Sequence, residues 1–130
     1  MRRMSLSSVK TGMLLTNILV LSSAALAAAG DPATGEKVFA SHCAVCHATT
    51  PGEKKIGPSL AGIIGSKSGS VPGFDFSPAM KDANVTWDDA NLDKFLANPV
   101  GFMHGTKMFV NLPNETDRQN VIAYLRTLNK

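Results

Sequence analysis

Apolar side chains recur at helical spacing in several separated stretches of this chain, and nowhere do apolar and polar residues alternate for long enough to make a strand. Val38 and Phe39 lie on the inner side of a first helix, capped by Asp31 or Thr34 and running to about Val45. Ser77-Pro78 starts a short second helix, because serine caps well and proline suits the first turn. Leu92, Phe95 and Leu96 give a third helix its apolar face. Thr86-Trp87-Asp88-Asp89 is its capping arrangement, with Asp89 where Glu or Gln is the usual partner, and Asn98-Pro99 stops it. Asn114 begins the last helix, with Glu115 and Asp117 at the positive end of its dipole and Val121, Ile122, Leu125 and Leu128 as its stripe. From Thr49 to Phe76 the chain is rich in Gly, Pro and Ser, a loop interrupted by the apolar run Leu60-Ala61-Gly62-Ile63-Ile64-Gly65. With no internal repeat, the pattern predicts an all-α fold of short helices and long loops.

The N-terminal stretch is different in kind. Met1-Arg2-Arg3-Met4 through Lys10 is basic, Thr11 to Gly30 is uncharged and rich in Leu and Ala, and the small-residue tract Ala24 to Ala29 follows the apolar core Met13 to Leu21. These are the three parts of a secretory signal, with cleavage between Ala27 and Gly30. An uncleaved membrane anchor is the alternative. Against it stand an apolar core near the minimum length for spanning and a weakly hydrophobic Ala/Ser end. Residues 1–29 therefore read as a leader and 30–130 as one small domain, long enough to fold alone around a modest core.

Charge narrows the function. The chain has 13 Lys and Arg against 10 Asp and Glu, a net +3, but Arg2, Arg3 and Lys10 belong to the leader, so the domain itself is balanced. No Lys/Arg run is interleaved with aromatics, which argues against nucleic-acid binding. Local asymmetry remains: Lys54, Lys55, Lys67 and Lys107 sit in loop segments, whereas Asp88, Asp89 and Asp93 share one helix, an arrangement able to orient docking. Phe39, Phe74, Phe76, Phe95, Phe102, Phe109, Trp87 and Tyr124 all fall in the domain and fit an apolar-lined pocket, although aromatics by themselves argue only for a core.

Cys43-Ala44-Val45-Cys46-His47 carries the chemistry. C-x-x-C-H is the attachment sequence of a c-type haem. On one helical turn the two sulfurs and the imidazole share a face, so two thioethers and one axial ligand come from a single rigid element. A thioredoxin-like pair would need a strand-to-helix turn that the flanks do not show. A zinc site drawn from Cys43, Cys46 and two of His42, His47 and His104 lacks a second pair at ligand spacing. A Cys43–Cys46 disulfide is sterically poor on a helix. A haem also accounts for the long loops, which otherwise have too little apolar body to wrap.

What faces the other side of the iron decides the activity, since an open site implies catalysis or gas binding and a filled one electron transfer. Met80, Met103 and Met108 remain in the domain. Met80 follows a helix start and Met103 follows Phe102, both positions suited to core packing, while Met108 sits on a loop in Gly105-Thr106-Lys107-Met108. A thioether there favours ferrous iron and raises the potential.

In the order and spacing of these motifs the domain resembles the class I cytochrome c family. Gly35 and Phe39 match the first helix, Cys43 to His47 the haem attachment, Gly57-Pro58-Ser59-Leu60 the loop after it, Gly105 to Met108 the axial-methionine loop, and Ala123-Tyr124-Leu125 the last helix. The resemblance implies that the Pro58 carbonyl accepts the His47 Nδ1 proton, that the Trp87 indole bonds a buried propionate, and that His47 and Met108 are the axial ligands. It also departs from the family: His104 replaces the proline that usually opens the methionine loop, Ser66 stands where eukaryotic relatives carry arginine, and Phe76 where they carry tyrosine. His104 is expected at the surface, able to compete for iron only in a partly unfolded state.

The implied activity is that of a periplasmic, monomeric single-electron carrier with one covalent low-spin haem c. Its partners would be membrane-bound redox complexes, a cytochrome bc1-type donor and an oxidase or reaction-centre-type acceptor, met through brief contacts at the edge near Cys46 and Lys107. Two other readings stay open: a haem enzyme or gas-binding protein, and a cytochrome subunit of a dehydrogenase or oxidase.

Overall fold

The computed structural model describes residues 29–129; the segment read as a leader lies outside the described residues except for Ala29. Five helices follow in order: α1 (Pro32–His42), α2 (Pro78–Asp82), α3 (Asp89–Ala97), α4 (Pro99–Phe102) and α5 (Glu115–Thr127). The only β contact among the described residues is an isolated bridge between Lys67 and Thr86. The all-α expectation therefore holds.

Helix starts follow their caps. Asp31 accepts from the backbone N–H groups of Ala33 and Thr34, and Pro32 opens α1. Ser77 caps α2 and Asn114 caps α5 in the same way. Three details differ from the sequence reading. α1 stops at His42, short of Val45, because Ala44 N–H turns back at 2.9 Å to the Phe39 carbonyl that Cys43 N–H already uses, instead of continuing the helical ladder to Ala40. α3 is capped by Asp88, which accepts from Asn91 N–H at 2.8 Å, and not by Thr86, which is held opposite Lys67 by the flanking bonds Ser68 N–H to the Val85 carbonyl and Trp87 N–H to the Ser66 carbonyl. Asn98-Pro99 ends α3 but also begins α4, since the Asn98 side chain accepts from Gly101 N–H at 2.9 Å. One Asn-Pro pair serves both as stop and as start.

The core is built where the two ends of the domain cross. α1 packs mainly on α5. Gly35 permits this: a Cβ there would overlap the Asn120 carbonyl and lie 2.9 Å from Tyr124 Cβ. Asp31 N–H also donates to Asn120 Oδ1 at 2.8 Å, and the Phe39 and Tyr124 rings stand 5.5 Å apart. Val38, Phe39, Val121, Ile122 and Leu125 are buried at this crossing together with Trp87, Leu92 and Phe95 from the α3 region. Each such side chain contributes about 1.5–3 kcal/mol on burial.

α3 is tied to α5 by charge. Arg118 pairs with Asp93, and Arg126 with Asp89. Two of the three α3 carboxylates are thus paired across to α5, while Asp88, exposed, also caps its own helix. The aromatics divide as well. Trp87, Phe95 and Phe102 cluster with ring centroids 5.1 to 6.4 Å apart, whereas Phe109 is 76% exposed and belongs to no core. Among the described residues, no helix is long and apolar enough to cross a membrane.

Candidate cofactor site

The attachment residues occupy a turn of their own just beyond α1. Cys46 N–H and His47 N–H both donate to the Cys43 carbonyl, at 3.0 and 2.9 Å, which keeps the two sulfurs and the imidazole close together although the regular helix has ended. Cys43 packs half-buried on the core, and burial, helped by the neighbouring Cys46, pushes its thiol up to about 11. That direction is the opposite of the depressed thiols that serve redox pairs and zinc sites. Both cysteines are free, and no cluster of His, Cys, Asp or Glu suited to a metal ion exists among the described residues.

The chain from Lys55 to Pro58 wraps this turn. Gly57 N–H donates to the Cys46 carbonyl at 2.7 Å, and Lys55 Nζ to the Ala44 carbonyl at 2.9 Å. Gly57 must be glycine because its backbone lies against the His47 ring, where a Cβ would overlap Cε1 and stand 2.7 Å from Nδ1. His47 Nδ1 lies 2.8 Å from the Pro58 carbonyl. Burial holds the imidazole below its ordinary range against the opposing pull of the Pro58 bond, so the neutral ring donates from Nδ1 and keeps a lone pair on Nε2.

The three methionines separate by setting. Met103 is 6% exposed inside the core. Met80 is half-buried on α2 with its N–H bonded to Ser77 Oγ at 3.1 Å. Met108 is half-buried in the loop between α4 and α5, its N–H bonded to Thr106 Oγ1 at 3.2 Å, and Thr106 is itself buried and bonded to the Met103 carbonyl. Gly105, at φ +91, makes the turn ahead of it. Lys107 reaches sideways to the carboxylate and carbonyl of Asp75. His104 is exposed. Trp87 is 4% exposed and is fixed through its backbone, donating to Ser66 and accepting from Gly65, both at 2.9 Å.

These residues fit a haem. The donor set is two thiols, one imidazole with a free Nε2 and one thioether, which are soft and intermediate ligands for iron. Half-buried Leu60, Ile64, Val85, Leu96 and Phe102 pack on the same core as Cys43 and Met108, an apolar wall of the kind a porphyrin covers. The anchoring parts of Thr106 and Arg118 are absent from the sequence reading, which also takes Lys55 only as a loop charge. Threonine two residues before a loop methionine is a readable signal, whereas a buried arginine in a polar helix looks no different from a solvated one.

A small all-α domain that presents a thiol pair and an adjacent imidazole on one turn is a monohaem c-type domain. A family model for cytochrome c matches residues 32–129. Cytochrome c2 of Rhodomicrobium vannielii is 51% identical over 107 residues, which is 81% of this chain and 85% of that protein. Cytochrome c2 of Rhodoblastus acidophilus is 48% identical over 99 residues, 75% of this chain and 92% of its own. The structure of cytochrome cH from Methylobacterium extorquens matches with a TM-score of 0.70 at 41% identity, over 75% of this chain and 99% of that one. This chain belongs to the cytochrome c family. It is an electron-transfer protein carrying one covalent haem c, and not an enzyme.

Proposed function

We propose that this cytochrome is exported and works as a periplasmic single-electron carrier, with iron held between His47 Nε2 and Met108 Sδ. It would be a monomer serving a bc1-type donor and an oxidase or reaction-centre-type acceptor. When bound, haem c supplies a one-electron ferric/ferrous couple. The observation that carries the reading is the His47 to Pro58 bond: it fixes the tautomer and ring orientation, leaving Nε2 for the metal. Met108 supplies a thioether from a loop anchored by Thr106, and a soft sixth ligand excludes other molecules from the iron. Trp87, rigidly placed and buried, would offer its indole N–H to a propionate. Export is supported by the basic, apolar and small-residue order of residues 1–29 and by the bacterial cytochromes c2 among the relatives.

Carbon monoxide tests the reading. The reduced protein should refuse it, while Met108→Ala should keep covalent haem yet bind it readily, and Cys46→Ala should impair attachment. Immediate binding by the unaltered protein would favour the haem-enzyme or gas-binding reading. An unaltered ligand spectrum in Met108→Ala would transfer the role to Met103 or Met80. Cell fractionation with intact mass decides export and cleavage, and sizing of native extract distinguishes a free carrier from a subunit of a larger oxidoreductase.

A further inference from the structure

We propose that Arg118, held by Asp93, is a positioning residue for Met108: it fixes the far end of the methionine loop and so sets how readily the thioether leaves the iron. The inference rests on the ligand reading above and adds to it the part of the fold that restrains the ligand.

Arg118 belongs to α5 and is buried, its side chain 11% exposed. Its guanidinium is aimed by Nε, which donates to Asp93 Oδ1 of α3 at 2.7 Å. That leaves Nη1 facing the loop, where it donates to two successive carbonyls, Leu112 at 3.1 Å and Pro113 at 2.8 Å. Leu112 N–H in turn donates to the Leu96 carbonyl of α3 at 2.8 Å. Every backbone polar group of residues 112 and 113 is thereby taken, since proline has no N–H. On the near side, Thr106 is bonded to the Met103 carbonyl and to Met108 N–H. Met108 therefore sits between two anchors, while Phe109, Val110 and Asn111 between them are exposed. Without the far anchor, only the Leu112 N–H bond and the burial of Leu112 would hold that end. Charge-assisted bonds to buried carbonyls are among the stronger ones a loop can have, and a buried arginine fork keeps its geometry where a lysine would not.

The other pair between the same helices supplies the control. Arg126 and Asp89 also join α5 to α3, are about half exposed, and do not reach the loop. Loss of either pair lowers stability; only loss of Arg118 or Asp93 should loosen Met108.

The experiment titrates the ferric holoprotein with imidazole, which enters only when Met108 leaves, and follows amide exchange at Met108 and Leu112. Arg118→Met and Asp93→Asn should raise apparent imidazole affinity about tenfold and speed exchange at both amides, Arg118→Lys should be intermediate, and Arg126→Met should match the parent at equal temperature below melting. If Arg118→Met and Asp93→Asn lower the melting point but leave imidazole affinity and exchange at the parent values, or if Arg126→Met changes them equally, the positioning role is overturned. Met108→Ala distinguishes the two levels of inference: were it to leave imidazole binding unaltered, the ligand assignment itself would fall.

Discussion

The backbone of Gly57 lies so close to the imidazole of His47 that any Cβ there would overlap the ring. The next carbonyl, that of Pro58, is the one bonded to Nδ1. Gly57→Ala should therefore force the ring and the loop apart, costing about 1–3 kcal/mol through displaced backbone. Thermal unfolding should report the loss, and a changed iron-ligand spectrum should report the rotated imidazole. A variant with parent melting point and spectrum would show that the contact constrains nothing.

Met103 and Met108 are five residues apart but should respond oppositely to truncation. Met103→Ala removes a 6% exposed core side chain and should cost about 2–5 kcal/mol while the ligand spectrum stays unaltered. Met103→Leu should cost under about 1.5 kcal/mol, because volume is kept. Met108→Leu keeps volume too, yet should lose the sulfur–iron signature and lower the potential, since the role proposed for it is chemical. A lost sulfur signature in Met103→Leu would reverse the assignment.

Asp75 gives a pH signature with a definite sign. Lys107, bonded to its carboxylate, and Lys81 hold the carboxyl below its ordinary 3.8. A depressed carboxyl stabilises the fold fully above its unfolded value, and that contribution disappears as pH falls through the folded one. Asp75→Asn should therefore melt below the parent at neutral pH, with the two curves converging once the pH drops beneath the ordinary value. The gap should be small and shrink in high salt, because the pair is exposed. A gap unchanged down to strongly acid pH would assign it to packing.

The family resemblance implies that Ser66 and Phe76 replace an arginine and a tyrosine that partner the propionates. Ser66 Oγ is committed to the Ile63 carbonyl at 2.7 Å, and Phe76 packs edge-on against Phe74. A less neutralised propionate favours ferric iron, so Ser66→Arg and Phe76→Tyr should each raise the potential. A cleft of about 270 Å³ beside Ser66 has room for the longer side chain. Redox titration checks this, and unmoved potentials would exclude propionate neutralisation at these positions.

Much of this architecture was legible because its signals are local. Asp31, Ser77 and Asn114 cap the helices they precede, and Cys43 to His47 needs no tertiary context to be read as an attachment turn. Structure departs from sequence pattern where one residue answers to two neighbours. Thr86 is a capping residue by type, but its bridge to Lys67, 19 residues earlier across Gly- and Pro-rich chain, takes it out of that role. Asn98-Pro99 reads as an ending because a four-residue helix has no period to detect. The pairing of Asp89 and Asp93 is hidden from the sequence because their partners, Arg126 and Arg118, lie in another helix whose own stripe gives no hint of buried charge. Phe109 has the composition of a core residue yet faces outward, because residue type does not encode direction.

The crossing of α1 and α5 gives the polypeptide an order of events. Gly35 and Asp31 meet Asn120 and Tyr124, so the opening helix acquires its principal packing surface only when the closing helix arrives. In any process that delivers the chain from its N-terminus, Cys43 and Cys46 emerge well ahead of that latch, in an interval when their thiols remain open to the machinery of attachment. The same join that makes the finished domain tight keeps the nascent one accessible.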